Sequence, residues 1–287
     1  SILTNRTFIV ATVVGMLAMG GMIGVMSYLP TYLQMVYGYS ATASGLLLVP
    51  ITIGMLVSSI LSGVLVARSG RYKVYPVLGP LVAASASFWL SRLSTTSPVW
   101  EVSAATFVMG VGIGMFFQLL VTVVQNAIEA RHLGTATSGN NFFREVGVSL
   151  GASFIGAAFS SGLTSSLTDR IGALAAGSDP TVLDSLARFG DADTSSLTPS
   201  LVNQLPAALH DAVASSYADA LLPIFGWMIP LFAATAVIAL FLPEVPLSRK
   251  SGMEQVAEAE RAAAGEADGT EAAEGADGRA AERVGEQ

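Results

Sequence analysis

Apolar residues fall into six long runs, at 8–29, 41–67, 74–90, 99–128, 135–163 and 221–242, joined by short polar turns except for one long polar stretch at 164–220. A helix rises about 1.5 Å per residue, and about 20 apolar residues cross the ~30 Å hydrocarbon core of a bilayer. Each run therefore predicts a membrane-crossing helix. The fifth run is unusual in carrying Arg144 and Glu145 near its middle. Arg144 would lie roughly 13 to 15 Å inside that run, where a lone guanidinium costs several kcal/mol unless it faces protein or water. Asn140, Arg144, Gly147 and Gly151 follow i, i+4, i+7, i+11 spacing, so the charge shares a stripe with two glycines that allow a neighbouring helix to come close. That stripe is expected to be an inner face.

Proline and polar residues punctuate the runs. Pro30 ends the first, with Tyr28, Tyr32 and Tyr37 placed as an interfacial aromatic belt. Pro50 predicts a kink in the second run rather than a break, because neighbouring helices can satisfy the freed carbonyl. Arg68, Arg71 and Lys73 fill the turn before the third run. Within 164–220, Asp179 before Pro180 and Thr198 before Pro199 read as helix starts, each an N-cap residue followed by proline at the first helical position. Leu205, Leu209, Val213 and Tyr217 at i+4 spacing predict an amphipathic helix that leads towards the sixth run and is split by Pro206. The stretch 164–220 is thus expected to be an extracytoplasmic loop with short helices. Residues 243–287, rich in Ala, Glu and Gly, are expected to form a disordered acidic cytoplasmic tail.

Composition agrees with this layout. Hydrophobic residues make up 52% of the chain, charged residues only 12%, and the mean hydropathy is +0.60, too apolar for a water-soluble domain of this length. The acidity belongs to the loop and tail, since 1–163 carries a net charge of +4 and the remainder −11. A pI near 4.8 argues against a nucleic-acid partner. The absence of cysteine excludes disulfides and thiolate metal sites, and His132 and His210 stand too far apart to suggest zinc. No His can meet a Ser at bilayer depth, which leaves an intramembrane hydrolase without a base. No GxxxxGK loop is present for ATP hydrolysis. Neither an enzyme nor a cofactor is expected. Arg6, Arg68, Arg71, Lys73, Arg131, Arg249 and Lys250 cluster near the run ends on one side, against Arg92 on the other, which puts both termini in the cytoplasm. The opening at Ser1 reads as a cut from a longer protein.

Six crossings divide into two triplets, and because three is odd the second triplet is inverted relative to the first. The expected fold is all-α: a polytopic membrane protein whose six-helix bundle is built as two inverted three-helix repeats. The third and sixth runs are the plainest and are expected to face lipid. The fourth and fifth hold Gln118, Gln125, Asn126, Asn140, Asn141, Arg144 and Glu145. Met16, Met19, Met22 and Met26, with Met115, Phe116 and Phe117, suit an adaptable cavity for hydrophobic cargo, and suit a core or lipid contact equally. Gly110, Gly112 and Gly114 lie inside an apolar run with no strand before them, so they point to close helix packing rather than phosphate binding. Arg144 fits two roles, a structural charge pinning its helix and a group in a transport path.

The turn Gly63-Val-Leu-Val-Ala-Arg68-Ser-Gly70-Arg71-Tyr-Lys73 resembles the signature loop of the major facilitator superfamily. Together with Asn5-Arg6-Thr7-Phe8, Tyr28-Leu29-Pro30, Ala43-Ser44-Gly45-Leu46, Val124-Gln125-Asn126-Ala127 and Asn141-Phe142-Phe143-Arg144, the chain resembles the last six helices of its fourteen-helix drug:proton antiporter branch. The resemblance implies a C-terminal half of a cell-membrane multidrug efflux transporter of the kind that confers antibiotic resistance. Its partners would be a hydrophobic small-molecule substrate, protons, the lipid bilayer and the missing N-terminal half. Substrate and proton pathway candidates are then Arg144, Glu145, Asn140, Asn141, Gln118, Gln125, Asn126, Met16, Met19 and Phe116. The gating loop would comprise Gly63, Arg68, Gly70, Arg71 and Lys73. Two departures stand out: Ala67 occupies a position that is usually acidic in the family loop, and Glu145 one that is often glutamine. Transport of another organic solute, and a six-helix accessory protein without transport, are the alternatives.

Overall fold

The computed structural model describes residues 5–70, 72–126, 128, 132–177, 199–202 and 205–243. The elements are α1 (Arg6–Tyr37), α2 (Ala41–Leu46), α3 (Val49–Ser69), α4 (Val74–Ser91), α5 (Val99–Asn126), α6 (Leu133–Gly177), α7 (Pro199–Val202) and α8 (Ala207–Leu240). Six of the described helical stretches, with α2 and α3 taken as one, are long and apolar enough to cross a membrane.

Several elements depart from their expected bounds for local reasons. Asn5 caps α1 by accepting from the Thr7 and Phe8 N–H groups at 2.9 and 3.3 Å. The helix then runs through Pro30 to a left-handed Gly38 (φ 68°), because Leu29, Tyr32, Leu33 and Met35 are buried on either side of the proline and hold the turn in place. At Pro50 the helix breaks instead of kinking. The turn at Leu47 and Leu48 tightens, with Leu48 N–H donating to Gly45 and Ile51 N–H to Leu48, and Pro50 enters the first turn of α3, where its missing N–H costs nothing. The helix expected at 135–163 continues unbroken to Gly177, making α6 45 residues long. The region assigned to a loop with short helices is thus partly an extension of α6 and of α8, which begins straight after Pro206. Asp179, Pro180, Thr198 and the tail 244–287 lie outside the described residues.

The extensions of α6 and α8 enclose a small second core of Leu163, Leu167, Val202, Val213 and Tyr217 around Met35 of α1. Asp219 of α8 accepts from both Arg170 and Ser166 of α6 on its exposed rim.

The bundle packs with an internal two-fold pattern. α1 lies against α6 and α8, α5 lies against α3 and α4, and α4 meets α8. Exchanging the triplet α1, α2–α3, α4 with α5, α6, α8 maps each of these pairings onto another or onto itself. Glycines shape both matching seams. Gly147 and Gly151 rest on the backbone of α1 at Met16 and Gly20, while Gly110 and Gly114 rest on the backbone of α3 at Ile51 and Met55. Gly112 turns to α4 at Gly79 and Ala83, so the three glycines of α5 serve two neighbours. The pattern fails at one place: α6 and α8 pack extensively through their extensions, whereas α3 and α4 barely touch.

The sixth run is not a plain outer helix in this bundle. α8 buries Leu221, Ile224, Phe225, Met228 and Phe232 among α1, α4 and α6. The more exposed apolar faces are those of α3, at Leu56, Ile60 and Leu61, and of α6, at Leu150 and Phe154.

Candidate functional site

The polar stripe of α6 faces α1, as its spacing requires. Near its N-terminal start the Asn140 Nδ2 donates to the Thr12 hydroxyl at 3.1 Å, with both residues buried. One turn further, the half-buried Arg144 stretches between two other helices. Its Cγ and Cδ lie 3.2 and 3.4 Å from where a Cβ on Gly15 of α1 would stand, and its guanidinium carbon sits 3.8 Å from the centroid of the Phe117 ring on α5. Among the described residues Arg144 meets no carboxylate within ion-pair distance. Beyond it, Gly147 and Gly151 close the seam. Arg144 thus marks the junction of α1, α5 and α6.

The other candidates are distributed around this point. Asn141 and Glu145, each one residue past a stripe position and so about 100° round the helix, are exposed. Gln118, next to Phe117, is exposed. Gln125 and Asn126 are half-buried near the end of α5, where Asn126 Nδ2 donates to the Thr122 carbonyl at 2.9 Å. Met19 is buried in the core, and Phe116 is buried against Gly79 of α4. The ring that meets the Arg144 guanidinium is that of Phe117. Met16 lines a separate apolar cleft of about 210 Å³ between α1, α6 and α8, with Leu17, Phe154, Trp227 and Met228 around it. Among the described residues no group of three His, Asp or Glu converges as a metal site.

Two features fix the described residues of the basic turn. Gly70 ends α3 with φ 69°, a left-handed conformation that a side chain would strain, and its N–H caps the Val66 carbonyl at 2.8 Å. Tyr72 is wholly buried and donates its hydroxyl to the Pro243 carbonyl just past α8, tying the turn to the last helix. Gly63 faces open space, Arg68 is exposed, Lys73 stands at the start of α4, and Arg71 lies outside the described residues.

The sequence model of the Major Facilitator Superfamily matches residues 1–152. The chain belongs to that superfamily. It is 36% identical over 245 residues to an uncharacterized MFS-type transporter of Mycobacterium tuberculosis, covering 85% of this chain and 33% of that protein. It is 30% identical over 264 residues to the multidrug transporter protein MdtP of Bacillus subtilis, covering 88% of this chain and 48% of MdtP. Its fold resembles that of a bacterial homolog of the human lysosomal transporter Spinster in an inward-facing, unoccupied conformation. The TM-score is 0.59 at 16% identity, over 85% of this chain and 50% of that one. The chain therefore spans a third to a half of the length of these relatives. As a superfamily member with six such helices, it is a multi-pass membrane protein of a transporter family.

Within the superfamily fold, sequence reasoning missed three residues of the junction: Thr12, Gly15 and Phe117 as contacts of Asn140 and Arg144. Gly15 and Gly20 on α1 were the available signal for the face that receives α6, while Gly21 and Gly24 receive Phe232 and Met228 of α8. Phe117 suits an apolar cavity by its sequence, but nothing there points to a cation.

Proposed function

We propose that this chain is the C-terminal half of a fourteen-helix efflux transporter that exchanges a hydrophobic, drug-like solute for protons, with Arg144 in the path. The observation that carries the reading is a guanidinium on an apolar helix long enough to cross a membrane, at the meeting point of three helices, without a carboxylate partner among the described residues. A charge so placed is costly, so a polar acceptor from the solute or from the other half is its reason to be there. Relatives such as the multidrug transporter protein MdtP and the tetracycline resistance determinant of Streptomyces rimosus support, by their names, drug efflux as the class of activity. Transport then proceeds by rocking one half against the other, with both termini cytoplasmic. Asn140, Asn141, Gln118, Gln125, Asn126 and Glu145 supply further polar groups along α5 and α6, and Arg68, Gly70, Arg71 and Lys73 form the cytoplasmic gating turn.

The test is made in vesicles holding the complete two-half transporter, with efflux of the lipophilic dye Nile red driven by an imposed proton gradient. Lysine lacks the planar fork of arginine. Arg144→Lys should therefore insert at parental levels and export at under a tenth of the parental rate. Export at the parental rate would remove Arg144 from the path, and export indifferent to the gradient would remove the antiport.

A further inference from the structure

We infer that Phe117 and Gly15 are positioning residues for Arg144, holding its guanidinium in one place while leaving its hydrogen-bond donors unspent. The inference rests on the reading of Arg144 as a transport-path residue. With 3.8 Å between guanidinium carbon and ring centroid, the contact lies well inside the roughly 6 Å over which a cation gains from an aromatic face. A ring face offsets part of the charge, but unlike a carboxylate it takes up none of the five N–H donors through lone pairs. The cation is thereby held without being neutralised. An ion pair to a side chain of this half would hold it too, and would spend the donors that a ligand needs.

Gly15 completes the arrangement from the other side. The stem of Arg144 lies across α1 where a Cβ would approach its Cγ to 3.2 Å and its Cδ to 3.4 Å, tight for an alanine and impossible for a branched side chain without moving the stem. Head and stem are thus held by α5 and α1, the leading helices of the two triplets, while the Cα belongs to α6. The group such a cradle receives is an oxygen acceptor, a carboxylate or a carbonyl, because only acceptors match a fork of donors. Packing alone does not require an aromatic here, since a methionine or leucine fills comparable space. The aromatic face is the part that matters for a cation.

Nile red, which carries a ring carbonyl and changes fluorescence in apolar sites, serves as the probe for binding to the purified complete transporter. Phe117→Leu and Phe117→Met should weaken binding about tenfold, between the size of an exposed and that of a desolvated cation–π contact, while Phe117→Tyr stays within about twofold of the parent. In an Arg144→Gln background the same leucine and methionine changes should shift binding less than about twofold. Gly15→Val should weaken binding only where Arg144 is present. Rates and affinities are normalised to monodisperse protein, and the methionine variant keeps the side-chain volume where leucine disturbs folding. Parental binding by both Phe117→Leu and Phe117→Met, or an equal loss with and without Arg144, would reduce Phe117 to packing and overturn the inference. Parental binding and export by Arg144→Gln would instead defeat the underlying reading, and the inference with it.

Discussion

Thr12 and Asn140 share a hydrogen bond where neither is open to solvent, and Gly147 presses on the backbone of Met16 less than two turns away. These two contacts differ in how much they tolerate. Hydrogen bonds between membrane helices average about 0.6 kcal/mol and seldom exceed about 1.7, so Asn140→Leu should destabilise the bundle by about 1 kcal/mol in detergent unfolding. Gly147→Val puts side-chain atoms against backbone that cannot rotate away, and should cost about 3 kcal/mol or prevent a monodisperse preparation. Equal effects of the two changes would mean that α6 has freedom to back away from α1. At this scale the stripe on α6 was legible, because helical spacing alone decides which residues of one helix share a face. Its partners were not. Nothing in the spacing of α6 says that Phe117, twenty-seven positions before Arg144, will meet its guanidinium, or that Phe116 beside it will turn to α4.

At the scale of elements, the existence of six apolar helices was legible from run length, and their ends were not. Polarity marks where a helix leaves lipid, not where it stops. α6 passes residue 163 because Leu163, Leu167 and Ile171 continue an i+4 apolar stripe that docks on Val213 and Tyr217 of α8. The signal was present in the sequence beneath the rise in polarity. This extension is held by its apolar seam more than by its rim charges. Arg170 and Asp219 are 41% and 53% exposed, and pairs in that setting contribute at most about 1 kcal/mol. Leu167→Ala should therefore raise amide exchange across 164–174 by far more than Asp219→Asn does, with a local loss of about 2 to 3 kcal/mol against under 1. The reverse order would make the ion pair the principal fastening. The break at Leu47 and Leu48 was half legible: proline announced the site, but whether the turn before it tightens depends on carbonyls at Ala43 and Gly45 that only the folded geometry reveals.

For the whole molecule, the proposed orientation rests on the Lys and Arg asymmetry, and the absence of cysteine from these 287 residues makes it easy to probe. An impermeant thiol reagent added to intact cells should label Ser196→Cys and leave Ser69→Cys unlabelled until the membrane is opened; labelling of Ser69→Cys alone would invert the topology. Residues 1–287 by themselves should insert without exporting Nile red, because one bundle has nothing to rock against, and gradient-driven export by the isolated chain would contradict a two-half mechanism. The glycine seams carry a mechanical consequence as well. Where backbone lies on backbone, as at Gly147 and Gly151 between α1 and α6 or at Gly110 and Gly114 between α3 and α5, few side chains interlock to resist shear, whereas Phe232 at Gly21 and Met228 at Gly24 act as pegs between α8 and α1. α6 is also fastened to α8 at its C-terminal end. Slip along the α1–α6 seam should then grow with distance from that fastening, so spin labels at Ile9 and Ser138 should report a broader spread of distances than labels at Ser27 and Phe154. A uniform spread along the seam would show that it does not shear.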